Sequence, residues 1–109
     1  MERLRIEYRT GYMELNVEAF FPCKMPAVRK AARLINQYCT DEARAELLSE
    51  LRELAAGYKA LCDMYTEKAE GFPLDSPQRR HWRAQFNKTE ILRRRMENNI
   101  KLISGGKKG

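Results

Sequence analysis

The sequence predicts an α+β fold that is mainly α: an N-terminal β-hairpin, then one short and two long helices, the long pair forming an antiparallel αα-hairpin. Three observations carry this. Apolar and polar residues alternate over residues 3–21, apolar residues keep helical spacing through the remainder, and Pro22, Pro26, Pro73 and Pro77 stand beside residues that start or stop elements. The 109 residues are 43% hydrophobic and 33% charged, enough apolar side chain for one core, so a single domain over 1–104 with a flexible tail at 105–109 is expected.

In the first segment Leu4, Ile6 and Tyr8 oppose Arg3, Arg5, Glu7 and Arg9, the period-two pattern of a half-buried strand. Thr10-Gly11 supplies a turn. Met13, Leu15, Val17, Ala19 and Phe21 then alternate against Glu14, Asn16, Glu18 and Phe20, so residues 3–21 read as a hairpin ended by Pro22. Two strands alone are marginal. The hairpin must therefore lie on helices or be completed by another molecule, through a homodimer or strand addition to a partner.

Pro26 fits the first turn of a helix over 26–39, because its missing N–H has no intrahelical partner there anyway. Val28, Ala31, Ala32, Ile35, Tyr38 and Cys39 form its apolar face. Thr40 is a natural N-cap for a second helix over 41–69, with Asp41 and Glu42 placed favourably in the helix dipole and Gly71 and Pro73 ending it. Leu47, Leu51, Leu54, Tyr58, Leu61 and Tyr65 step by 4, 3, 4, 3 and 4, the spacing of a coiled-coil seam, with Leu48, Ala55, Cys62 and Ala69 widening the stripe. Gly57 within it suggests close approach of a neighbouring helix. Asp75-Ser76-Pro77 starts a third helix over 77–104, whose stripe is Trp82, Phe86, Thr89, Leu92, Met96, Ile100 and Ile103. Arg93 falls beside this seam, so either its stem snorkels to a carboxylate or tyrosine, or the seam shifts to Leu92 and releases it.

The net charge of +6 is unevenly distributed. Residues 24–39 carry four bases and no acid, 40–70 carry four bases and eight acids, and 78–101 carry eight bases and two acids. On the third helix Arg80, Arg83, Asn87, Arg94, Asn98 and Lys101 fall along one side, away from the apolar stripe. With Arg29, Lys30 and Arg33 of the first helix they are the candidate surface for nucleic acid or an acidic partner. The competing reading pairs the third helix internally with Glu46, Glu50, Glu53, Asp63 and Glu67 of the second.

Other chemistries find little support. A helix-turn-helix would place the second helix on phosphates, yet residues 40–70 carry net −4. Cys23, Cys39, Cys62 and His81 could make a zinc set by inventory, but lack the short chelating pairs such sites use. The three cysteines read as buried thiols in a reducing cytosol. No glycine loop for phosphates or nucleophile–base pattern is visible, so neither an enzyme nor a cofactor or metal site is expected. No segment has the length of a membrane span and the start lacks a signal-peptide core, which points to the cytoplasm.

The start MERLRIEYRTGYMELNVEAFF, the helical remainder and the segment DSPQRRHWRAQFNKTEILRRRMENN resemble the small accessory proteins of bacterial mobile elements, phages and conjugative elements, including anti-CRISPR and anti-defence proteins. The resemblance transfers no functional residue. It implies a non-catalytic protein that binds nucleic acid or a host nucleoprotein complex; the alternative is an adaptor or inhibitor that meets a protein through the hairpin edge or a helical surface.

Overall fold

A computed structural model describes residues 3–106. Strands β1 (Arg3–Tyr8) and β2 (Gly11–Asn16) form an antiparallel hairpin, followed by α1 (Val17–Phe20), α2 (Met25–Tyr38), α3 (Asp41–Glu70) and α4 (Pro77–Gly106). The register pairs Leu4 with Leu15 and Ile6 with Met13 on one face. Leu4, Ile6 and Leu15 are buried. On the other face Arg5 bonds Glu7 (3.0 Å) and Glu14 (3.5 Å) and lies over the Tyr12 ring at 3.9 Å.

The hairpin is shorter than 3–21. Its connection is Arg9-Thr10, since Tyr8 pairs with Gly11, and the second strand ends at Asn16. Asn16 Oδ1 accepts from the Ala19 N–H at 3.0 Å, capping a single helical turn. Val17 and Phe21 are both buried, and their four-residue separation suits a helical turn as well as a strand. The cap decides between the two.

The helices start where their caps stand. Thr40 Oγ1 accepts from the Ala43 N–H (3.1 Å) and Ser76 Oγ from the Arg79 N–H (3.1 Å). At the α2–α3 corner the Arg44 guanidinium donates to the carbonyls of Cys39 (2.9 Å) and Asn36 (3.3 Å) and pairs with Asp41. This satisfies carbonyls that the end of α2 leaves without intrahelical partners. Helix α4 runs two residues past Ser104, through Gly105 and Gly106; the remainder of the expected tail, 107–109, lies outside the described residues.

Helix α4 is the spine. It packs along α3 and against α2, and α2 supports β1. Val28, Ala31, Ala32 and Ile35 of α2 join the hairpin residues, Phe21, Leu47, Leu51, Ala55, Met96 and Ile103 in one core cluster. Each large aliphatic or aromatic side chain so buried contributes roughly 1.5–3 kcal/mol. Asn99, fully buried, donates through Nδ2 to the carbonyls of Phe21 (2.6 Å) and Cys23 (2.9 Å), tying the α1–α2 connection to α4.

Beyond the cluster, α3 and α4 continue as a two-helix arm, and the molecule measures 57 × 23 × 21 Å. Cys62, Ala69 and Thr89 are buried between the two helices there without belonging to the core cluster. The α3 seam is thereby shifted from the expected one. Its buried line is Leu47, Leu51, Ala55, Cys62 and Ala69, while Leu61 is 40% exposed. At the far end of this line Phe86 comes beside Ala69, and Trp82 stacks on Tyr65 at 5.9 Å. Nothing approaches a Cβ built on Gly57 within 4 Å, so that glycine makes no close helix contact.

Candidate nucleic-acid interface

A residue of α4 that lies on the side away from Met96 and Ile103 must face solvent. Arg80, Arg83, Asn87, Arg94, Asn98 and Lys101 do so, and all six are exposed. At 1.5 Å per residue they span about 30 Å along the helix, the rise of roughly nine nucleotides of a B-form strand.

The strip keeps its charge. Among the described residues Arg83 and Lys101 have no ion-pair partner, and Arg80 donates to the uncharged carbonyl of Asp75 (3.2 Å). Arg94 alone meets a carboxylate, Glu90, at 3.0 Å. Four of the acids expected to pair with the strip do not do so: Glu46, Glu53 and Glu67 have no ion-pair partner among the described residues, and Asp63 pairs with Lys59 of its own helix (3.6 Å).

Arg93 takes the first of its two expected positions. Its stem lies along the seam, and its head bonds Glu90 (2.7 Å) and Glu97 (2.9 Å), with the Arg93 and Glu90 side chains only 22% and 19% exposed. The Arg93 hydrogen bonds outweigh partial burial and hold the Glu90 carboxyl down at about 2, while its ionised form holds the Arg93 proton more tightly. Across the interface Cys62 Sγ lies 3.6 Å from Glu90 Oε1, and burial first, then this carboxylate, pushes the thiol up. Burial likewise raises Cys39. Such thiols are poor nucleophiles.

On α2, Arg29, Lys30 and Arg33 are exposed. Arg29 and Arg33 share a helical row with Asn36, whose Nδ2 donates to the Leu102 carbonyl of α4 (3.2 Å), and the Arg29 guanidinium donates to Met25 Sδ at 3.4 Å. Lys30 projects about 100° further round α2.

One feature was not legible in the candidate residues. At the tip of the arm a groove of about 170 Å³ lies between the end of α3 and the start of α4, bounded by Tyr65, Ala69, Glu70, Arg79, Arg83 and Phe86. Its residues meet only because the turn at 71–76 sets the register of α3 on α4, which no local pattern specifies.

His81 packs edge-on against Trp82 at 4.9 Å. Among the described residues no group of three His, Cys, Asp or Glu side chains is placed to hold a metal ion, the three cysteines are unpaired, and no helix is long and apolar enough to cross a membrane. Compared with protein-family models, curated proteins and solved structures, the chain matches none.

Proposed function

We propose that the protein is a non-catalytic nucleic-acid-binding protein, of the kind carried by mobile elements, which lays the α4 strip along a phosphate backbone. The observation that carries this reading is the exposed row Arg80, Arg83, Arg94 and Lys101, with which Glu46, Glu53, Asp63 and Glu67 of α3 make no ion pair among the described residues. Four such cations, joined by Arg29 and Arg33 of α2, suit backbone contact more than base readout, because they are long side chains on one convex helix face.

The test is the triple substitution Arg80→Glu, Arg83→Glu and Arg94→Glu. The reading predicts loss of DNA and RNA binding with the far-UV spectrum retained, since all three side chains are exposed. Retained binding by a folded variant would refute it.

A second reading, an adaptor or inhibitor of a protein, is favoured by a separate observation. Leu61, Met64, Leu74 and Ile91 are exposed outside the core, and the sheet has only two strands among the described residues. An apolar or strand-addition interface would be nearly insensitive to salt, whereas phosphate binding weakens steeply with it.

A further inference from the structure

We propose that the groove at the arm tip receives one unstacked guanine, so that the nucleic acid carried by α4 is single-stranded. This rests on the reading of the strip given above and extends it. Arg83 belongs to both features: it stands on the exposed side of α4 and bounds the groove. A strand following the strip toward the N-terminus of α4 therefore arrives at the groove.

The size suits a base. At about 170 Å³ the groove is smaller than the roughly 300–1,000 Å³ of sites for drug-sized ligands. Its walls are Tyr65 and Phe86, half-buried rings of the kind on which unpaired bases stack. One face of Tyr65 is already covered by Trp82, with the ring planes only 26° apart.

The polar groups select the base. Arg79, fixed by a bond from Nη1 to the Phe72 carbonyl (3.0 Å), Arg83 and Glu70 bound one groove, yet among the described residues Glu70 pairs with neither arginine. Opposite charges that line a common groove without closing on each other are complementary to a ligand offering acceptors on one edge and donors on another. Guanine does so: its O6 and N7 accept from a guanidinium, and its N1–H and N2 amino group donate to a carboxylate. Adenine would turn the N1 lone pair toward Glu70, and thymine offers one donor. A base inside a duplex has its donor edge already paired and cannot enter.

The experiment is a fluorescence-anisotropy titration of the full chain at one low salt concentration. Its probes are an oligo-dT strand, the same strand with one central dG, and a duplex of the second. The expected result is at least tenfold tighter binding of the dG strand than of either other probe, with the dG preference abolished in Glu70→Gln and general oligo-dT affinity kept. Glu70 is exposed and makes no contact the fold needs; a thermal melt of the variant confirms that it folds. Equal affinity for all three probes would overturn the groove while leaving the strip standing. A dG preference that survives in folded Glu70→Gln would overturn the assignment of the carboxylate, and no binding of any probe would overturn the groove and the strip together.

Discussion

Arg93 lies against Glu90 of its own helix, Nη2 to Oε2 at 2.7 Å, and not against any acid of α3. Its other terminal nitrogen takes Glu97, one turn on, at 2.9 Å. These are i,i+3 and i,i+4 pairs, the separations that face each other on a helix. Both acids of residues 78–101 are thus engaged with Arg93, and Arg94 shares Glu90. Among the described residues no other arginine or lysine of that stretch forms an ion pair, which is why the strip remains basic.

The same pair makes stability depend on pH. An unfolded-chain glutamate titrates near 4.5, whereas Glu90 in the fold stays ionised down to about 2. The folded pKa is the lower one, so the contribution is complete above about 4.5 and is lost as pH falls toward about 2. The melting temperature of the wild type should fall across that window, and that of Glu90→Gln should fall less. Parallel curves for the two proteins would show that the pair does not stabilise the fold.

Asn99→Leu removes the donor from two carbonyls, of Phe21 and Cys23, and leaves them without it. An unsatisfied buried polar group costs about 1–3 kcal/mol. Denaturant unfolding should show a loss of about 3 kcal/mol, against less than about 0.5 kcal/mol for the exposed neighbour Asn98→Leu.

Position along the α3 seam can be read by truncation. Leu51, fully buried in the core cluster, should cost about 2–5 kcal/mol when changed to alanine. Leu61→Ala should cost under about 1 kcal/mol, because that side chain is 40% exposed on the arm. Similar losses at both sites would restore the expected seam through Leu54, Tyr58 and Leu61.

Gly57→Ala should stabilise the protein by about 0.5–1 kcal/mol, since the residue is helical, no group approaches its missing Cβ, and alanine lowers the entropy of the unfolded chain. A loss of stability would indicate a close approach that the fold does not contain.

Where an element is determined by neighbours in the chain, it was legible. Thr40, Ser76 and Pro77 mark helix starts because a cap acts within three residues, and the row from Arg80 to Lys101 follows from the helical repeat alone. Residues 17–20 were not, because Val17 and Phe21 satisfy a strand and a helical turn equally, and the Asn16 side chain had to be weighed against the alternation. The seam posed a related ambiguity: Leu54 and Leu61, like Ala55 and Cys62, stand seven apart, and which line turns furthest inward depends on how α4 packs along α3, a long-range register. The tip groove depends on the same long-range register and left no local trace.

The most direct test of the account is the salt dependence of nucleic-acid affinity, measured on the wild type with its mass in solution determined in the same buffer. Four cations on phosphates predict a slope of log K against log salt of about −3 to −4, deepening if Arg29 and Arg33 join. A slope in that range places the basic row of α4 on the backbone. No binding at low salt, or binding whose affinity is flat with salt, would contradict the account and leave the exposed apolar residues of the arm as the surface that meets a partner.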